Sequence, residues 1–239
     1  MCYNKSVLEK QAELEAQYEI FKNLKDHENA FSDLPLFNVT AYHNVPVIGT
    51  WEDELRAFKA FWCLIPHWSK TGKPEATAFN ARIETIDKSK LFAPYFKSSR
   101  CLVPVSAFYE YNAEKPLTIE VNGKKKPAKQ PSVIMMKDKK SFMLGGCFSV
   151  WTDKKTGELK PSYTVITTEP NKLVGAIHNR MPVIIEEKYF ELWLDRSYND
   201  VKELKSIAAK SYPATKMIAH EVNAAYLYDR SHNDKKCWV

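Results

Sequence analysis

The chain has 239 residues, of which 44% are hydrophobic and 13% aromatic, enough for a globular core and too apolar for a disordered segment. No apolar run reaches the roughly 20 residues of a membrane helix and no signal segment opens the sequence, so a soluble intracellular protein with no membrane partner is expected. A formal charge of +6 fits a polyanionic partner, although many enzymes without one are as basic.

The chain opens Met1-Cys2-Tyr3-Asn4. Trimming of Met1 would make Cys2 the first residue, with an α-amine of reference pKa roughly 8 beside a thiol of roughly 8.5. Such a 1,2-aminothiol has aldehydes as its favoured electrophile: the amine condenses to an imine and the thiolate closes a five-membered thiazolidine. The five cysteines, at positions 2, 63, 101, 147 and 237, show neither metal-ligand spacing nor an even set for disulfides. A reducing compartment, no zinc or other metal and no cofactor are therefore expected.

From Ser6 to Lys25 the apolar residues Leu8, Leu14, Tyr18 and Phe21 alternate with charged ones, without Gly or Pro, which predicts an amphipathic helix. Asn38–Thr50 and Ala57–Ile65 read as extended, the latter running into Pro66-His67-Trp68. In Phe79–Thr85 the polar residues Asn80, Arg82 and Glu84 share one side of an extended chain, as either an exposed sheet face or a binding row. Arg100–Tyr111 is an apolar, aromatic strand interrupted by Glu110. A carboxylate in such a strand is costly to bury unless it is paired or functional.

Leu117–Val121 and Pro131–Met136 predict a hairpin turned by Asn122-Gly123, with a lysine-rich loop read as solvated. Gly145-Gly146, inside the strand Ser141–Trp151, predicts a bulge or the close approach of another backbone. Pro161–Thr168 is a further strand, followed by a helix to about Ile177 and then His178-Asn179-Arg180-Met181-Pro182. His178 is read either as a satisfied core histidine or, beside Asn179 and Arg180, as a proton-transfer group. Short helices are expected at Glu186–Leu194 and Asn199–Ala209, and a loop-like tail over the last thirty residues. Many strands with few helices predict one α+β domain over residues 1–239, built on a curved, largely antiparallel, barrel-like sheet with peripheral helices.

Six stretches together resemble the SRAP (SOS-response-associated peptidase) family: Met1-Cys2, FNVTAYHNVPVI at 37–48, WCLIPHW at 62–68, NARIET at 80–85, RCLVPVSAFYEY at 100–111 and IHNRMPVII at 177–185. The resemblance implies catalytic roles for Cys2, Asn80, Glu110 and His178, and covalent capture of the ring-opened aldehyde of an abasic site in single-stranded DNA. Glu110 and His178 would move protons, and Asn80 would hold the N-terminus or the opened sugar. DNA contacts are expected from Arg82, Arg180, Trp68 and Asn4, in a protein acting as a monomer. The chain departs from the family pattern at Tyr3 and Ala107, where glycine is usual, and at Tyr111, where tryptophan is usual; the Ser6–Lys25 helix reads as an elaboration. Two other functions remain open from the residues: a thiol peptidase using Cys2 with His178 and Glu110, and a non-catalytic nucleic-acid binding module.

Overall fold

Strands dominate because the apolar residues recur mainly with a period of two and the reversals carry turn-forming residues. The computed structural model describes residues 4–22, 24–26, 29–74 and 76–239, so Cys2 lies outside the described residues. The first half of the chain runs β1 (Asn4–Val7), α1 (Gln11–Gln17), β2 (Lys25–Asp26), β3 (Leu36–Thr40), β4 (Asn44–Trp51), β5 (Glu54–Trp62), β6 (Asn80–Arg82), α2 (Ala93–Ser98) and β7 (Arg100–Val105). The second half runs β8 (Ala107–Val121), β9 (Lys124–Met136), β10 (Phe142–Thr152), β11 (Leu159–Thr168), α3 (Lys172–Gly175), β12 (Met181–Pro182), β13 (Ile184–Ile185), α4 (Phe190–Leu194), α5 (Val201–Ala209), β14 (Met217–Glu221) and α6 (Ala224–Tyr228).

Five strands close into a barrel. β5 pairs with β4, β4 with β7, β7 with β10 and β10 with β11, all antiparallel, and β11 returns to β5 through a parallel contact of Ser162 with Phe61 and Tyr163 with Trp62. Closure removes the free edges that an open sheet would expose. A second sheet, in the order β14-β9-β8-β1-β3, packs against the barrel. The core between them includes the fully buried Phe58, Trp62, Val103, Phe108, Ile134 and Val165. This is the α+β, barrel-like architecture that the pattern of elements predicts.

Gly146 is where backbones meet most closely. A Cβ placed there would lie 2.7 Å from the backbone oxygen of Thr164 and 3.0 Å from Cys101 Sγ, so only glycine fits between β7 and β11. The hairpin turn is as expected: Asn122 and Gly123 both have positive φ, 53° and 71°, as a type I′ reversal requires. Its strands are longer than predicted, because an irregularity between Asn112 and Pro116 lets pairing continue past the break in pattern.

The helix expected over Ser6–Lys25 is not formed as such. Ser6 and Val7 end β1, α1 covers only Gln11–Gln17, and a single 3-10 turn follows at Glu19–Phe21. Pairing of Asn4, Lys5 and Ser6 with Tyr109, Phe108 and Ala107 of β8 overrides the local helical period. Leu14, Tyr18 and Phe21 still bury their side chains in the core, as the apolar stripe predicts. The helix expected before His178 shrinks to α3, capped by Asn171, whose side chain accepts from the Val174 N–H at 3.0 Å. The tail is more ordered than its polar composition suggests. It contributes β14 to the second sheet and α6 against the β8–β9 hairpin. Among the described residues no helix is long and apolar enough to cross a membrane.

Candidate active site

β1 lies inside the second sheet, between β3 and β8. Strand alternation sends Lys5 and Phe108 toward the barrel, where the Lys5 ammonium sits 3.9 Å from the centre of the Trp62 ring and bonds the Tyr163 hydroxyl at 2.5 Å. Asn4 faces the opposite way. Its amide donates to Asn38 Oδ1 and its Oδ1 accepts from the Tyr111 hydroxyl, both at 2.8 Å. Asn38 in turn donates to the Leu227 carbonyl of α6 at 3.0 Å. A run of polar bonds thus ties the start of β1 to β8, β3 and the C-terminal helix.

Glu110 follows the same strand logic. It sits in β8 opposite Ser132 and has no exposed surface, within a stretch that is apolar on both faces. Burial disfavours its charged form and raises its pKa from 4.5 to about 7. His178, in the loop after α3, brings its Nδ1 to 3.7 Å from Glu110 Oε2. Both backbone groups of Arg180 approach the same Nδ1, the N–H at 3.1 Å and the carbonyl oxygen at 3.3 Å, and they fix the orientation of the ring. Burial holds the His178 pKa below its usual 6.5, with the charge of Lys129 acting in the same direction. The pair therefore has a carboxyl that titrates near neutrality beside a neutral imidazole, a combination suited to general acid–base work.

Both groups line a cavity of about 420 Å³. Asn4 and Thr40 come to it from β1 and β3, Tyr111 and Lys129 from β8 and β9, and Leu227, Tyr228 and Arg230 from the C-terminal segment. Of the residues expected from sequence, Asn4, Glu110 and His178 meet here. Asn4 is only 2% exposed and bonds Asn38 and Tyr111, which braces the start of β1. Asn80 and Arg82 stand on β6, beside Val165 and Thr167 of β11, with Asn80 half-buried and Arg82 exposed. They do not line the cavity.

Arg180 does not line the cavity. Its guanidinium makes a two-point ion pair with Glu84, at 2.8 and 3.0 Å, and donates to the Thr167 carbonyl at 2.7 Å. Trp68 is 45% exposed, stacks on Tyr95 at 6.0 Å and meets the edge of His67 at 4.8 Å, outside the cavity lining. The sequence reading missed Thr40, Lys129, Tyr228 and Arg230. Lys129 lies in a lysine-rich hairpin, and Tyr228 and Arg230 lie in a polar tail, where composition alone gives no sign of a site.

The other four cysteines offer no competing nucleophile. Cys63, Cys101, Cys147 and Cys237 are buried free thiols, and burial raises the pKa of each.

Residues 1–226 match the family described as SOS response associated peptidase (SRAP). The chain is 33% identical over 192 residues to "Abasic site processing protein YoqW" of Bacillus subtilis, an alignment covering 80% of each. It is 34% identical over 146 residues to "Abasic site processing protein HMCES" of Xenopus tropicalis, covering 56% of this chain and 43% of that one. The fold is similar to that of a crystal structure from Bacteroides thetaiotaomicron, with a TM-score of 0.73 and 26% identity over 99% of this chain and 98% of the other. A match along nearly the whole chain, with Glu110 and His178 facing one cavity, has one reading: the chain belongs to the SOS response associated peptidase family.

Proposed function

We propose that this protein processes abasic sites in single-stranded DNA by capturing the opened sugar covalently through Cys2, once Met1 has been removed. The observation that carries this reading is the Glu110–His178 pair on the wall of a cavity that Asn4 also lines. Cys2 precedes Asn4 by two residues in the sequence. The names of the relatives, abasic site processing proteins, agree with it.

The chemistry needs a proton moved at every step. Ring opening takes a proton from the anomeric hydroxyl and returns one to the ring oxygen, exposing the aldehyde. The Cys2 amine adds to that carbon, and the resulting hydroxyl leaves as water when it is protonated, forming the imine. The thiol sulfur then bonds to the imine carbon while its proton ends on nitrogen. The net reaction is amine, thiol and aldehyde giving a thiazolidine and one water. Glu110, with a pKa of about 7, can give and take protons at physiological pH, and the neutral His178 ring carries one N–H donor and one acceptor nitrogen. General acid–base assistance of this kind contributes typically 10²–10⁴-fold.

The test is intact-mass spectrometry with an abasic oligonucleotide. The expected product has the mass of the protein without Met1 plus the strand less one water, and it survives heating without a reductant. Cys2→Ala, equally trimmed, should give only an imine that borohydride traps. A stable adduct from a protein whose amine is blocked would overturn thiazolidine formation and favour peptidase-like thiol chemistry, and a stable adduct from Cys2→Ala would overturn any need for the thiol.

A further inference from the structure

The cavity beside Glu110 has a second half that the capture chemistry leaves unused. An opened sugar fills only part of a volume of about 420 Å³, and the remaining wall carries two exposed cations, Lys129 of β9 and Arg230 just past α6. Among the described residues neither has a carboxylate within ion-pairing distance. Arg180, by contrast, is held by Glu84 in a two-point pair. The two elements bearing the free cations are bonded together, since the Lys129 backbone N–H donates to the Tyr228 hydroxyl at 3.1 Å. The rings of Tyr111 and Tyr228, which also line the cavity, meet edge to face at 5.4 Å.

We propose that Lys129 and Arg230 form an anion-binding subsite that holds the strand phosphate next to the abasic sugar. This rests on the reading of the cavity as the abasic-site pocket. An ammonium and a guanidinium with no carboxylate partner among the described residues gain by exchanging counterions for phosphate, and the guanidinium adds two-point geometry. The subsite would orient the sugar toward Glu110 and His178 from the C-terminal side of the cavity. Lys129 also acts on the site itself, because its charge reaches the His178 ring and helps keep it neutral.

Binding can be separated from capture with strands that carry a tetrahydrofuran abasic analogue, which has no aldehyde. One strand has natural phosphodiesters and the other has neutral methylphosphonates on both sides of the analogue. Fluorescence anisotropy should show the parent preferring the charged strand by about tenfold, and K129Q/R230Q losing that preference. For the charged strand, the slope of log affinity against log salt should fall by about 0.7, the value for one phosphate on a single strand. In an NMR titration, Lys129→Gln alone should raise the midpoint of His178. A double variant that discriminates between the strands as well as the parent, with an unchanged salt slope, would overturn the subsite. Matching thermal melts would show that both proteins are folded. Failure of the parent to crosslink a true abasic strand would instead overturn the capture reading, whatever the anisotropy gives.

Discussion

Glu110 Oε2 and His178 Nδ1 stand 3.7 Å apart, with 1% and 22% of their side chains exposed, and burial shifts their affinities for protons in opposite directions. Loss of solvation disfavours charge on either group, so the carboxyl keeps its proton longer and the imidazole gives its proton up sooner. Near neutrality the neutral acid beside a neutral ring and the carboxylate beside a neutral ring are close in free energy. A site that must deliver a proton in one step and remove one in the next needs that near-equality.

The pH dependence of stability follows from the Glu110 shift. Its folded pKa, about 7, lies above the usual 4.5, so the protonated form is favoured in the folded state. The associated stability is fully present below pH 4.5, is lost as pH rises toward 7, and does not change further above that. The shift corresponds to a loss on the order of 3 kcal/mol. Glu110→Gln should remove this dependence, so urea unfolding at pH 8 should find the variant more stable than the parent, with the difference gone at pH 4. The same variant should lose most abasic-strand capture. A parent with equal stability at both pH values, after allowing for its other titrating groups, would show that Glu110 is not perturbed.

Much of this site is written in the sequence as a conflict. A glutamate in the apolar run Arg100–Tyr111 violates the rule for buried strands, and the structure resolves the violation with a cavity and a histidine. The Gly145-Gly146 pair is legible in the same way, since Gly146 sits where a Cβ would strike the Thr164 backbone. What sequence could not give is distance between remote segments. Arg180 and Glu84 are 96 residues apart and Tyr111 and Asn4 are 107 apart, and nothing local in any of them announces its partner. The helix predicted from Ser6 failed for the same reason, because Asn4, Lys5 and Ser6 find backbone partners in β8, a hundred residues away.

The Glu84–Arg180 pair has a measurable acid signature. Burial raises the Glu84 pKa, but the Arg180 guanidinium outweighs it and holds the carboxyl below its usual 4.5. A depressed carboxylate contributes stability above pH 4.5 that is lost as pH falls through the folded pKa. With the Glu84 side chain 42% exposed, solvent screening limits the contribution to about 1 kcal/mol or less. Glu84→Gln should therefore cost this small amount at pH 7 and nothing in strong acid. If Arg180 is a structural strut, freeing it should leave strand affinity unchanged. A clear gain in affinity would show that Glu84 restrains a phosphate-binding arginine.

Arg100 opens the stretch 100–111 without a role in the site chemistry, yet the barrel depends on it. It is 3% exposed in β7 and donates to the carbonyls of Phe96, Lys97, Trp193 and Tyr198 at 2.6–2.9 Å, and to that of Asp195. These carbonyls belong to the last turns of α2 and α4 and the segment after α4, so one guanidinium satisfies several helix-end acceptors at once. Arg100→Lys keeps the charge but cannot reproduce the planar fork, and it leaves buried acceptors unpaired. A loss on the order of 3 kcal/mol is expected in denaturant unfolding, with the pH dependence of Glu110 unchanged. A loss within experimental error would mean that the carbonyls are as well served by water.

Asn4 tests whether bracing of the first strand controls the chemistry. Its side chain is 2% exposed and bridges Asn38 and Tyr111, and Asn38 continues the link to the Leu227 carbonyl. Asn4→Ala leaves the Asn38 carbonyl oxygen and the Tyr111 hydroxyl without this partner, at a cost of about 1–3 kcal/mol. Because Asn4 has almost no surface to offer a strand, affinity for a tetrahydrofuran abasic analogue should stay near that of the parent. The first-order rate of capture at saturating abasic strand should fall, by up to about 10², since a displacement of about 1 Å at a reacting group has that effect. Tyr111→Phe removes only one bond of the bridge and should lie between the parent and Asn4→Ala in both stability and rate. The opposite pattern, weaker binding with an unchanged saturated rate, would return Asn4 to the role of a DNA contact and show that the start of β1 needs no brace.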